Sequence, residues 1–130
     1  MRTFGVTLER VAPAEVDLAL RLRADLTRQH GFLHAGVVSA VVDSACGYAA
    51  LSLMEPGTTV LSVEFKVQLV APARGATFRG LGRVVRAGRT LTVVTGEIRA
   101  AVEGSKDEEE LVAVLTGAMM AVRDRPELTD

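Results

Sequence analysis

Hydrophobic positions along this chain follow two different periods. Val16, Leu18, Leu20 and Leu22 alternate with Asp17, Ala19, Arg21 and Arg23, the two-residue repeat of a half-buried strand. Residues 3–12 read as an earlier strand, ended by Pro13. Residues 24–33 keep neither period and carry Gly31, so a loop is expected there. From Gly36 to Met54 the run GVVSAVVDSACGYAALSLM is long, rich in alanine and stopped by Glu55-Pro56-Gly57, which predicts a helix. It is apolar almost all round, the pattern of a helix covered on most faces. Its valine pairs lower intrinsic helix propensity, so tertiary packing must hold it.

Four strand-like runs follow. In residues 59–70, Leu61, Val63, Phe65, Val67 and Leu69 fall on one face, and Ser62, Glu64, Lys66 and Gln68 on the other. Ala71-Pro72-Ala73-Arg74-Gly75 breaks the run. Residues 77–86 and 89–102 are joined at Ala87-Gly88, a turn of hairpin type. The acidic run 105–110 reads as a solvated loop tip, residues 111–123 close the series, and the tail around Pro126 is expected to fray. Strand, strand, helix, then strands joined by short turns, with no βαβ alternation, predicts one antiparallel α+β domain whose sheet curls round the helix. A single domain over 1–130 is expected, with its core at about 15–122.

Composition narrows the picture. The 130 residues are 48% hydrophobic with four Phe, one Tyr and no Trp, so Val, Leu and Ala must build the core. A net charge of -1 argues against a nucleic-acid or membrane-surface role. Cys46 is alone, which excludes an internal disulfide and a cysteine metal site. The N-terminus lacks an apolar signal region, and no window is long and apolar enough to span a bilayer. A soluble, cytoplasmic protein without a metal or resident cofactor is expected.

Three features carry candidate chemistry. Asp43 stands among Val41, Val42, Ala45 and Cys46 with no Lys or Arg at helical pairing distance. A carboxylate placed in apolar surroundings is costly unless paired or hydrated, so it is either functional or set at a hydrated edge. The helix entry His30-Gly31-Phe32-Leu33-His34-Ala35-Gly36 offers free backbone N–H groups and a partial positive charge. Donors at Ala35 and Gly36 would polarise a carbonyl while Asp43, about two turns on, or its water attacks. Ser62, on the polar face of its strand, could orient Asp43 or hold that water. His30 and His34 lie four residues apart, but with only Asp43 nearby they do not make a metal set. Arg83, Arg86 and Arg89 read as a solvated strand face or as phosphate donors.

With those residues in view, HGFLHAGVVSAVVDSACGYAA resembles the HGG-x6-D helix signature of the phenylacetate-degradation (PaaI-type) branch of hotdog-fold thioesterases. LSVEFKVQLVAPARG and RVVRAGRTLTVVTGEI resemble that family's following strand, turn and hairpin, with consistent spacing over about 15–122. The resemblance implies a hotdog fold, one long helix wrapped by a curved antiparallel sheet of five to six strands. It also implies acyl-CoA substrates and a homo-oligomer, a dimer or a dimer of dimers. Asp43 matches the nucleophile or general base, facing an oxyanion donor at Ala35 of the opposite subunit, with Gly36 beside it. His34 matches a histidine near the thioester and Ser62 a hydroxyl that places water, while Arg86, Gly88, Arg89 and Thr90 match a region near the CoA phosphates. Two positions depart from the pattern. Ala35 stands where the signature has Gly, and Arg28 where Asn or Gln is expected, a role Gln29 takes if the loop shifts by one residue.

These observations imply a thioester hydrolase that converts an acyl-CoA to free acid and CoA, the coenzyme being part of the substrate. A non-catalytic acyl- or aryl-ligand binding module on the same fold is the alternative, because a fold does not fix function. The acid kept at Asp43 argues against it. A hotdog hydratase would place Asp and His together in one loop-helix segment, and no His follows His34.

Overall fold

The computed structural model describes residues 1–123. Its elements in chain order are β1 (Thr7–Ala12), β2 (Glu15–Arg21), α1 (Ala35–Leu51), β3 (Thr59–Leu69), β4 (Thr77–Ala87), β5 (Leu91–Ala101) and β6 (Glu109–Val122). All six strands join one antiparallel sheet in the order β1-β2-β4-β5-β6-β3, so β1 and β3 are its edges. The α+β class and the single wrapped helix are as the residue pattern predicts. The expected fraying around Pro126 lies outside the described residues.

Alternation decides which strand faces meet α1. Val16, Leu18 and Leu20 of β2, Phe78 of β4, Val94, Ile98 and Ala100 of β5, and Ala113, Leu115 and Met119 of β6 are buried. Against them the helix buries Val37, Val38, Val41, Val42, Ala45, Cys46, Ala49 and Ala50. Those side chains are short, and the sheet opposite is built to let the backbone come close. A Cβ on Gly82 would overlap the Ala45 carbonyl, one on Gly80 would stand 2.9 Å from Val41 Cγ1, and one on Gly96 2.7 Å from Cys46 Sγ. Glycine in a strand interior weakens it intrinsically. Here its lack of a side chain is what admits the helix.

The helix is not enclosed on every side. Gly36 and Tyr48 are exposed, and Ser39, Ala40, Asp43 and Ser44 are half-buried, leaving an open strip. Apolar side chains also remain open on the β3 edge, where Leu61, Val63 and Phe65 are exposed. Because an edge strand presents unpaired N–H and C=O groups, this 11-residue strand is a template for pairing.

Several boundaries differ from the sequence-based expectation. The first strand begins at Thr7, since Arg2–Phe4 form a 3-10 turn closed by Gly5 at φ 71°. The second runs Glu15–Arg21, ending two residues before Arg23. The loop over 24–33 holds two short 3-10 turns and an isolated Thr27–Leu33 bridge. The helix ends at Leu51, because beyond it the bonds tighten to Leu53 N–H on Ala50 C=O and Met54 N–H on Leu51 C=O. There Ser52 Oγ donates to Ala49 C=O at 2.6 Å and accepts the Ala14 N–H at 2.8 Å, tying the helix end to the β1–β2 turn. Glu109 and Glu110 belong to β6, not to a solvated tip, because Arg79 pairs with Glu109 at 3.0 Å.

The largest departure is in β3. A bulge between Ser62 and Glu64 inserts one residue and reverses the alternation. Ser62 opposes buried Met119 and Val67 opposes buried Leu115, so both face the helix although five positions apart. Leu61, opposite Met120, lies on the other face, and the expected uniform apolar face from Leu61 to Leu69 does not form.

Gly82→Ala is expected to destabilise the fold by about 1–3 kcal/mol or more in urea denaturation, because neither backbone can move freely. Gly47→Ala, whose Cβ meets only Val60 Cγ1 at 3.8 Å, is expected to add about 0.5–1 kcal/mol through helix propensity.

Candidate active site

The bulge of β3 and the open strip of α1 bring Ser62 and Asp43 together. The Ser62 hydroxyl donates to Asp43 Oδ1 at 2.7 Å, with Met119 Sδ 3.2 Å from the same oxygen. No ion pair among the described residues includes Asp43. The carboxylate is therefore half-buried, held by one neutral donor and open on its other side. Ser62 reaches it only because of the bulge; on unbroken alternation it would point away from the helix wherever Val67 packed inward.

The helix entry is equally specific. His34 is the N-cap at φ −64°, ψ 138°, and its Nδ1 accepts the Gly36 N–H at 2.8 Å. Val37 and Val38 donate to the His34 carbonyl at 2.9 and 3.1 Å. The Ala35 N–H is the first of the helix, where no intrahelical acceptor exists, and it has no partner among the described residues. The paired donor expected at Gly36 is thus already engaged, and one free N–H remains.

Ala35 borders a cavity of about 430 Å³ walled by Phe32, Leu33, Val38, Leu69, Val70 and Val112, with Arg28 and His30 at its rim. Gln29 is exposed in the neighbouring 3-10 turn and does not border it. Asp43 lies eight residues beyond Ala35 in the same helix, roughly 12 Å along its axis. One carbonyl cannot touch both within a chain.

The other expected residues divide. Gly88 and Arg89 border a cavity of about 480 Å³ at the far end of the helix, with Ala50, Leu53 and Arg123. Arg86 is exposed and lies outside that lining, and Thr90 is used through its carbonyl, which accepts the Ala121 N–H at 2.8 Å. Gly88 needs its missing side chain, because a Cβ there would overlap the Leu91 carbonyl. Arg83 is no longer a free phosphate donor, since its Nη1 binds Asp17 Oδ1 at 2.9 Å.

Asp17 went unmarked in the sequence. It is 3% exposed, and Arg79 at 3.4 Å and Arg10 at 3.7 Å join Arg83 around it on the sheet face away from the helix. Its cations come from β1 and β4, so sequence spacing held no signal for the cluster. Among the described residues no group of three metal-ligating side chains occurs, and no helix is long and apolar enough to cross a membrane.

Residues 30–105, which include the helix entry, Asp43 and Ser62, match the Thioesterase superfamily profile. The chain belongs to that superfamily. A solved thioesterase family protein from Silicibacter pomeroyi is 48% identical, with a TM-score of 0.90 over 95% of this chain and 88% of that one. The PaaI protein of the E. coli phenylacetic acid degradation operon superposes with a TM-score of 0.79 over 93% of this chain and 82% of that one; at 17% identity the likeness is one of fold. A Saccharolobus solfataricus protein provisionally named an esterase is 33% identical over 69% of this chain. The match spans 59% of that relative's length and 56% of a second from the same organism. These thioesterase-superfamily relationships and the six-stranded sheet around one helix agree with the hotdog expectation.

Cys46, three residues after Asp43, is not a nucleophile here. Burial pushes its thiol up from 9.0 to about 12; a backbone hydrogen bond from Arg83 opposes the rise and the Asp43 charge adds to it. The native protein should resist a thiol reagent at neutral pH and react only after unfolding. Because the unfolded thiol ionises near 9.0 and the native one at about 12, its contribution to stability is intact below 9 and lost as pH rises toward 12. The stability gap between wild type and Cys46→Ala should therefore narrow as pH rises from about 9 toward 12 in urea titrations.

Proposed function

We propose that this protein hydrolyses acyl-CoA thioesters, with Asp43 as nucleophile or general base and the Ala35 N–H as oxyanion donor. The observation that carries the reading is the pairing of an open, singly bonded carboxylate with an unengaged N–H at the start of the same helix. Because the two lie too far apart in one chain, the site is formed between two copies, Asp43 of one facing Ala35 of the other. The exposed β3 edge and the open strip of α1 support at least a dimer. A dimer of dimers is compatible with this arrangement.

In this mechanism the thioester carbonyl rests on the Ala35 N–H, where the helix dipole adds to the hydrogen bond as negative charge develops on oxygen. Asp43 either attacks the carbonyl carbon directly or removes a proton from attacking water. Ser62 fixes the carboxylate rotamer and leaves Oδ2 toward the substrate. His34 positions the donor: by occupying the Gly36 N–H it sets the entry turn from which Ala35 points outward. With direct attack the C–S bond breaks to give CoA thiolate and an acyl–Asp43 anhydride. Water then hydrolyses the anhydride to free acid and the restored carboxylate, the water's proton ending on the thiolate. With general-base attack the proton taken by Asp43 passes to the departing sulfur, so both routes yield free acid and CoA thiol. The nucleotide end lies toward Gly88 and Arg89, whose guanidinium can meet phosphate; Arg86 and Thr90 stand on the same hairpin.

Asp43→Asn should lower kcat by ~10² to 10⁴ without loss of fold. Ala35→Pro removes only the donor. Proline is well placed at the first helical position, and His34 already has the extended backbone that precedes proline, so kcat should fall by ~10² to 10³ with the fold retained. Neither variant alone should turn over acyl-CoA at an appreciable rate. Mixed after subunit exchange, they should recover roughly a quarter of wild-type activity, because half the dimers carry one intact site. Absence of recovery in exchanged, mass-verified heterodimers would place both groups in one chain and sink the shared site. Full activity in Asp43→Asn would sink the catalytic role of Asp43.

Arg89→Ala should raise KM for acyl-CoA with kcat nearly unchanged, since a remote charge contact contributes uniform binding. The effect should shrink at high salt and vanish for a short thioester without the nucleotide. Equal damage to both substrates would make Arg89 structural.

A further inference from the structure

The cavity beside Ala35 combines an apolar wall with positive charge that no ion pair among the described residues neutralises. Among the described residues its lining contains no acidic side chain. Arg28 stands at the rim, held at the backbone by its own N–H on Phe32 C=O at 2.8 Å and by the Thr27–Leu33 bridge. The Arg74 guanidinium carbon lies 5.1 Å from the centroid of the Phe32 ring, which forms part of the wall. Among the described residues neither arginine makes an ion pair, which is also true of Arg2, Arg21, Arg86, Arg89 and Arg123; what sets Arg28 apart is its place on the lining of this apolar cavity. A guanidinium left over an apolar pocket is suited to a carboxylate, which it grips in a two-pronged fork.

We propose that Arg28, supported by Arg74, selects a thioester whose acyl group ends in a carboxylate, a short or medium dicarboxylic monothioester. This rests on the reading that the carbonyl docks on the Ala35 N–H. Ala35 itself borders the cavity, so an anion at its rim lies within a few carbons of the carbonyl. The CoA phosphates are separated from the thioester by the whole pantetheine arm, and the Gly88 and Arg89 cavity at the other end of the helix is where a remote anion would sit. The methylene chain of the acyl group would cover Phe32, Val38, Leu69 and Val70 while its terminal carboxylate meets Arg28.

The test compares acyl pairs of equal chain length with and without the terminal carboxylate, glutaryl with pentanoyl and adipyl with hexanoyl. Each is presented on CoA and on N-acetylcysteamine, to wild type, Arg28→Gln and Arg74→Gln. Wild type should favour the dicarboxylic member in kcat/KM by roughly tenfold or more on both thiols, the scale of one charge-assisted contact. Arg28→Gln should bring that ratio close to one, and Arg74→Gln should lower it by a smaller factor. A ratio near one in wild type overturns the proposal, as does a ratio that Arg28→Gln leaves unchanged. An Arg28 effect present with CoA and absent with N-acetylcysteamine would assign the arginine to phosphate and also overturn it. A shift to monomer in light scattering of Arg28→Gln would make the residue an interface contact instead. Calorimetric binding of the matching non-hydrolysable thioethers separates this proposal from the hydrolase reading. Carboxylate preference in binding without any turnover sinks only the hydrolase, and turnover without preference sinks only the selectivity.

Discussion

Close approach of one helix to a sheet is the constraint on which the rest of this molecule depends. Gly80, Gly82 and Gly96 clear the surface opposite Val41, Val42, Ala45 and Cys46, and backbone meets backbone where most folds interpose side chains. Small helical residues then bury completely, so a chain with few aromatics still closes a core from Val, Leu and Ala. The same closeness fixes the helix in rotation and in translation. A helix that could slide by a fraction of a turn would carry Asp43 away from Ser62 and Ala35 away from its cavity.

On that rigid base the chemical groups are set by local irregularities. The β3 bulge costs the strand its regular ladder and turns Ser62 toward α1, so the hydroxyl reaches Asp43. His34 caps the helix with its ring nitrogen, which takes the Gly36 N–H and leaves that of Ala35 unengaged. Each is a small departure from regular secondary structure, and each selects which polar group faces outward. Preorganised donors of this kind stabilise developing charge without further reorganisation.

Charge on the two faces of the sheet is handled differently. Away from the helix, Asp17 is enclosed by Arg10, Arg79 and Arg83, and Glu15 and Glu109 complete the pairing. Removing one member would strand buried charge, so this cluster constrains how β1, β2 and β4 align. At the helix entry, Arg28 and Arg74 make no ion pair among the described residues.

By itself the sequence determined the class of fold, the existence of the buried helix, the hairpin turn at Gly88 and the isolation of Asp43, because these follow from periodicity and from the cost of burying charge. It also carried the helix signature around His34 and Asp43, since that motif is contiguous. Tertiary structure alone decided what is non-local. The bulge that reorients Ser62 arises from pairing with β6, more than fifty residues away. The Asp17 cluster draws arginines from two other strands. Which of Ala35 and Gly36 keeps a free N–H depends on a side-chain rotamer of His34, and whether Arg28 or Gln29 borders the cavity depends on a 3-10 turn. A pattern along the chain records which residues must leave water; the direction in which each polar group points is fixed only when distant strands supply its neighbours.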